Sequence, residues 1–323
     1  MSRAQAYALL TPDCVLDAVA AAGYRPDGRL LPLNSFENRV YQIGIEAEAG
    51  KDPFLIAKFY RPGRWSDAGI IEEHRFTAEL AAAELPVVAP LSAAGGSLHR
   101  HRGFRFALFP RRGGRAPEWE QPEVAAWLGR LLARLHNVGA LKRFEHREKL
   151  DVEHLVIEPM HAALRSVLLP ENLAVAYRSR VGAAASAIDR VLRAIAPCCL
   201  RLHGDCHPGN VLWSDHGPHF VDLDDARSGP AVQDLWMLLS GDEAQREALI
   251  EGYETFRPFD RRELALIPAL RLMRQIHYAG WIAERWSDPA FPLAFGHVAS
   301  PLWWQQHLED ISAELAALEH GEA

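Results

Sequence analysis

The chain has 323 residues, 49% of them hydrophobic, and a net charge of −7. That is long enough for two lobes or one large domain with a sizeable core. The acidic balance argues against broad nucleic-acid binding, and no apolar run approaches the length of a membrane span. The opening stretch, MSRAQAYALLTPDC, lacks the apolar core of a secretory signal. Cys14, Cys198, Cys199 and Cys206 have neither metal nor disulfide spacing, so a reducing cytoplasm is expected. The adjacent Cys198 and Cys199 are expected to be buried filler ahead of a strand.

The elements follow in chain order. Thr11 and Pro12 pair an N-cap with a proline at the first helical position, and Gly23 ends that helix. Residues 30–33, 39–45 and 53–60 read as strands; the second sets Val40, Gln42 and Gly44 against Arg39, Tyr41 and Ile43. Ser66 is placed to cap a helix running to about Ala83, before Pro86 and Pro90 break the chain. Residues 97–101 and 104–109 flank Gly103 as a hairpin. Residues 110–117 (PRRGGRAP) form the clearest linker. Beyond it Val124, Trp127, Leu128, Leu131, Leu132 and Leu135 recur at helical spacing on one face. Helical patterning then dominates, apart from a β island at 200–224, and resumes from about Ala231 with Pro258, Pro268 and Pro289 as punctuation. The pattern predicts an α+β, bilobal, protein-kinase-like fold. Residues 1–110 would form a β-rich nucleotide-binding lobe, and 111–323 an α-rich catalytic and acceptor-binding lobe.

The β island carries the chemistry. In HGDCHPGN, residues 203–210, Asp205 is followed five residues later by Asn210. Residues 211–213 and 219–221 read as a hairpin closed by the turn residues 214–218, which returns Asp222 to the side of Asn210. These are the groups a phosphoryl transfer from a metal nucleotide needs. Asp205 lies beside the acceptor hydroxyl, while Asn210 and Asp222 offer a neutral and a charged oxygen to Mg²⁺. Lys58, inside the apolar run 54–60, either faces solvent or points into a cleft where phosphates and a carboxylate offset its desolvation; the downstream Asp, Asn and Asp favour the cleft. Glu72, Glu73 and Glu79 are the candidate partners on the following helix, with Glu73 preferred and a solvated acidic face as the alternative. No GxGxxG covers the nucleotide. The turn around Ser35 and Phe36 takes that place, with Ser35 as a phosphate contact and Phe36 as a shield against water, although such residues are also ordinary turn chemistry. Asp224 and Asp225 either reach a second metal through water or face solvent, the reading preferred here. His203 is expected to bond loop backbone, and His207 to brace the Asp205 loop, rather than to hold zinc. Cys206 is either a small buried side chain, the preferred reading, or an oxidisable switch. Asp234 stands at a helix start and is placed to hold the backbone of the 203–205 turn.

The 203–210 loop resembles the aminoglycoside phosphotransferase and choline kinase branch of protein-kinase-like proteins. Residues 33–42 (LNSFENRVYQ), 57–65 (AKFYRPGRW), 220–227 (FVDLDDAR), 229–238 (GPAVQDLWML) and 286–292 (WSDPAFP) resemble, more narrowly, the bacterial stress response kinase A family, also called the YihE/RdoA kinases. The resemblance implies an ATP- and Mg²⁺-dependent enzyme that phosphorylates serine and threonine in proteins under oxidative or envelope stress. By position it implies Asp205 and Asp222 as active-site acids, Asn210 and Asp222 as Mg²⁺ ligands, Ser35 as an ATP contact and Lys58 as the phosphate lysine. Gly204 stands where many regulated kinases carry arginine, and Asp222 to Asp234 leaves little room for an activation loop. Activity without phosphorylation of such a loop is therefore expected. A monomer that engages ATP and a protein acceptor, and neither nucleic acid nor membrane, completes the expectation. The rival readings are a kinase for a small hydroxyl acceptor, such as an amino alcohol, sugar or antibiotic, and a nucleotide-binding scaffold without catalysis.

Overall fold

The computed structural model describes residues 7–48, 50–92, 96–215 and 217–320. The start of the N-terminal stretch and one residue of the 214–218 turn lie outside them. Helix α1 (Pro12–Ala21) opens where the Thr11 hydroxyl accepts from the Cys14 amide. Strands β1 (Pro26–Leu33), β2 (Arg39–Ile45) and β3 (Phe54–Phe59) follow, then α2 (Asp67–Ala82), capped by the Ser66 hydroxyl, then β4 (His99–His101) and β5 (Phe104–Pro110). The strands form one antiparallel sheet in the order β1-β2-β3-β5-β4. Side chains alternate across a strand. Leu55, Ala57 and Phe59 enter the core beneath α1 with Val15 and Val19, so Ile56 and Lys58 are sent to the opposite face.

The rest is mainly helical: α3 (Pro122–Gly139), α4 (Glu158–Arg165), α5 (Glu171–Ile195), α6 (Val232–Leu235), α7 (Glu243–Glu254), α8 (Ile267–Arg285), α9 (Ala290–Phe295) and α10 (Pro301–His320). Helices α3 and α7 approach closely enough that a Cβ on Gly129 would collide with the Leu249 carbonyl, and one on Gly252 with that of Ala126. Leu128, Leu131, Leu132 and Leu135 enter the main core as the helical spacing predicts, but Trp127 does not. It is 44% exposed and packs edge-on against Trp213 at 5.2 Å. Cys198 and Cys199 are likewise exposed, not buried filler, because they lie in the link between α5 and the next strand rather than under it.

Between α5 and α6 lies the β island. Strand β6 (Leu200–Leu202) pairs with β9 (Arg227–Gly229), and β7 (Val211–Ser214) with β8 (Gly217–Phe220). The pairing of β6 with β9 had no signal in either segment's own pattern. Residues 110–117 leave the sheet and are stitched to β7 by reciprocal backbone bonds between Arg115 and Trp213 of 2.9 and 2.7 Å. Helix α2 belongs to both halves: Ile70 packs with Tyr60 and Trp65, whereas Phe76 and Leu80 join the main helical core. No described helix is long and apolar enough to cross a membrane.

Candidate active site

Two short-range features build the centre of the site. Strand β6 delivers residues 203–205, and the β7–β8 hairpin then reverses the chain. Its register sets Val211 opposite Phe220, and the Val221 amide donates to the Asn210 carbonyl at 3.0 Å. Asn210 and Asp222 are thereby neighbours. The Asn210 amide nitrogen donates to the Asp205 carbonyl at 2.9 Å, which leaves its side-chain oxygen as the atom suited to a cation. Asp222 adopts a left-handed backbone, φ 60°, a conformation costly for a residue with a Cβ and concentrated at functional sites. Lys58, Asp205, Asn210 and Asp222 all line one cavity of about 700 Å³ between the sheet and the helical half.

Lys58 is buried and reaches Asp222 at 2.7 Å and Asp224 at 3.2 Å. Burial alone would pull its ammonium down; the two carboxylates outweigh it and hold the amine well above its ordinary value. The three helix glutamates separate. Glu73 is buried, lines the cavity and accepts from the Thr77 hydroxyl at 3.0 Å, but it forms no ion pair with Lys58. Its carboxyl is pushed up by burial, against the pull of Lys58 and Arg147. Glu72 accepts the backbone amides of Glu145 and His146, and Glu79 holds Lys142 and Arg201. The expected Lys58–Glu73 pair is thus replaced by Lys58 with Asp222 and Asp224.

Asp224 does not face solvent, contrary to the sequence-based expectation, and Asp225 is half-buried among cations. Asp224 is 4% exposed and pairs with Lys58 and Arg64, while Asp225 pairs with Arg64 and Arg227. Burial would raise both carboxyls, but the surrounding cations hold them below the usual carboxylate range. Arg147 adds charge-assisted bonds to the backbone carbonyls of Asp224 and Ala226. Apart from Arg227, two residues on, nothing in a run of acids announces cations that come from β3, from its exit and from the chain ahead of α4.

The loop that carries Asp205 is braced from behind. Asp234 is fully buried and accepts the amides of His203 and Gly204, each at 2.8 Å, as its placement at a helix start predicts. His136 of α3 meets the same carboxylate at 3.0 Å and Tyr253 at 2.8 Å. Burial would raise the Asp234 carboxyl; the His136 bond and these amides keep it lowered. His203 lies 3.0 Å from the Val221 carbonyl, and His207 lies 3.5 Å from Asp205. Cys206 is fully buried and its thiol is pushed well up by burial, the environment of a small packing residue rather than a thiolate.

The cavity roof is the β1–β2 turn. Ser35 lines the cavity and donates to the Asn38 carbonyl at 3.2 Å. Phe36 packs edge-on against Phe295 of α9 at 4.9 Å. Glu37, beside it, draws in Arg61, Arg64, Arg285 and the Trp281 indole, the last at 2.6 Å. Asp288 binds Arg39 and Arg61. On the opposite wall, Arg274 of α8 reaches Asp205 at 2.6 Å. Neither Glu37, Asp288, Arg64 nor Arg274 was a candidate from sequence. Glu37 lies in the turn read as the nucleotide cover, Arg64 and Asp288 lie in segments singled out by resemblance, and Arg274 sits in an ordinary amphipathic helix.

The oxygen set fits Mg²⁺. Asn210 and Asp222 are hard donors on adjacent backbone, and one Asp222 oxygen remains beyond the one that meets Lys58. Mg²⁺ is commonly held by one or two protein ligands with phosphates and water completing the shell.

The chain has relatives among known proteins. A model described as the phosphotransferase enzyme family matches residues 29–267. "Stress response kinase A" of Escherichia coli (strain K12) is 44% identical over 305 residues, 91% of this chain and 89% of that protein. "Serine/threonine protein kinase RdoA" of Salmonella typhimurium is 43% identical over 307 residues, covering 92% and 90%. Among solved structures, an amicoumacin kinase in complex with AMP-PNP and Ca²⁺ superposes with a TM-score of 0.70 at 16% identity, covering 94% of each chain. A microcompartment-associated aminopropanol kinase gives 0.68 at 18% identity, covering 94% and 96%.

Proposed function

The chain belongs to the phosphotransferase enzyme family and is a relative of the stress response kinases A, and from that premise we propose that this ATP-using kinase transfers the γ-phosphoryl group to serine and threonine hydroxyls of proteins, with Mg²⁺, in a bacterial stress response. The observation that carries the reading is the convergence of Lys58, Asp205, Asn210 and Asp222 on one cavity. In this reading residues 1–110 hold the nucleotide, with Ser35, Lys58 and Glu73 on its side of the cleft, and 111–323 supply catalysis and the acceptor surface. Bound Mg²⁺, held by Asn210 and Asp222, would neutralise charge on the phosphates. Lys58 is preset as a cation for the same phosphates. Asp205 takes the proton as the acceptor oxygen bonds to the γ-phosphorus; the bond to the β–γ bridging oxygen breaks, and its electron pair leaves with ADP. The protein acceptor is supported by the name of the Salmonella relative.

The test compares wild type, Asp205→Ala and Asp222→Ala with labelled ATP and a panel of protein and metabolite acceptors. Asp205→Ala should lower transfer by roughly 10²–10⁴ while nucleotide affinity is largely kept. Asp222→Ala should also weaken Mg²⁺-dependent nucleotide binding. Residual phosphorylation equal to wild type in Asp205→Ala would indicate a scaffold with a contaminating kinase, and labelling confined to metabolites would indicate a small-molecule kinase.

A further inference from the structure

The candidate base does not stand free. Asp205 is engaged by the Arg274 guanidinium at 2.6 Å, and both side chains are solvent-accessible, 26% and 48% exposed. The guanidinium occupies one oxygen of the carboxylate, so an acceptor hydroxyl must compete for Asp205 or the arginine must leave. An ion pair this exposed is weak, and a second anion can draw the guanidinium away. Arg274 lies on the cavity-facing side of α8 with Met273, His277, Tyr278 and Trp281. That helix offers the cavity one cation and aromatic rings but no carboxylate. Across the cleft Asp224, Asp225 and one Asp222 oxygen are committed to Lys58, Arg64 and Arg227, and the second Asp222 oxygen is the one suited to Mg²⁺. A positively charged acceptor approaching Asp205 along α8 would therefore meet Arg274 with no free acid beside it, whereas a negatively charged one would find a partner.

We propose that Arg274 is a specificity-determining residue that selects acceptors carrying an anionic group close to the hydroxyl, and that this anion draws the guanidinium off Asp205 as the hydroxyl takes its place. In a protein acceptor the anion is an acidic side chain one or two residues from the serine or threonine, since an extended chain advances about 3.3 Å per residue. The proposal rests on Asp205 being the base of the reaction, but not on the acceptor being a protein.

The experiment uses the full chain and two matched pairs of acceptors: serine peptides flanked by Asp or by Lys, and glycerate against ethanolamine. Wild type, Arg274→Gln and Arg274→Glu are each assayed for kcat and KM, with an unfolding midpoint for each variant. Wild type should favour the acidic member of the pair it phosphorylates by about tenfold in kcat/KM, mainly through KM, as a charge-assisted contact would give. Arg274→Gln should flatten the preference and Arg274→Glu should reverse it; a merely structural role would lower both members equally. Equal use of both members by wild type, a preference unchanged in Arg274→Glu, or transfer to none of the four would overturn the proposal. Transfer to glycerate alone, with the expected reversal, would keep it and refute the protein-kinase reading.

Discussion

Gly204 shows how one residue joins the two halves of the site. Its φ is +87°, and a Cβ there would strike the Asp225 carbonyl oxygen. The loop that carries Asp205 is thus laid directly on the segment that follows Asp222, at a distance only glycine allows. The arginine that many regulated kinases carry at this position has no room. Gly204→Ala should destabilise the fold by roughly 1–3 kcal/mol from backbone strain and lower kcat, because the Asp225 segment must move to admit the methyl. Denaturant unfolding and steady-state kinetics together check this, and wild-type values of both would refute the contact's importance. Glycine at this place was visible in sequence; its reason, a carbonyl on a segment beyond a hairpin, was not.

Among the elements, the β1–β2 turn is unusual in being anchored at both ends of the molecule. Its strands belong to the sheet, yet Phe36 lies on α9 and Glu37 accepts from Trp281. Burial would raise the Glu37 carboxyl, but Arg64, Arg285 and Arg61 outweigh it and keep it lowered. A glycine-rich cover is flexible; this one is held by charge, which presets the position of Ser35 over the cavity. Glu37→Gln keeps the shape and removes the charge. With charge-assisted bonds contributing about 1.5–3 kcal/mol, ATP affinity measured by calorimetry should fall about tenfold. An affinity equal to wild type would mean that the turn needs no anchor. The downstream Asp, Asn and Asp favour the cleft for Lys58, and alternation along β3 puts it on the face away from α1, lining the cavity. The partner of the turn lies some 250 residues downstream and left no periodic trace.

Across the whole molecule the two halves are joined at several points. Val88 donates to the Phe220 carbonyl, Phe220 donates to that of Pro86, and α2 contributes to cores in both halves. Acid should loosen this assembly through the helical core. His307 of α10 is buried and stacks on Trp303 at 5.0 Å, and burial pulls its imidazole down to about 4. The unfolded chain takes up that proton near pH 6.5, the folded chain only near 4. Its contribution is therefore complete above pH 6.5 and declines as pH falls toward 4, by about 1.4 kcal/mol per pH unit. His307→Phe keeps the stacked ring and removes the proton. Unfolding free energies measured from pH 7 to 4.5 should show a shallower loss in the variant; parallel curves would contradict the assignment.

The sequence alone determined the local geometry of the candidate site. Asp205, Asn210 and Asp222 occur at spacings that one strand, one hairpin and two turns convert into neighbours, and turn chemistry and alternation act over a few residues. It also marked α1 and α2 through their capping residues. Only the tertiary structure decided which charges meet. Lys58 finds Asp222 across 164 positions and Asp224 rather than Glu73, while Arg274 closes on Asp205 across 69. An ion pair depends on the three-dimensional path of the chain, on burial and on competing cations, and none of these is written in the spacing around either partner.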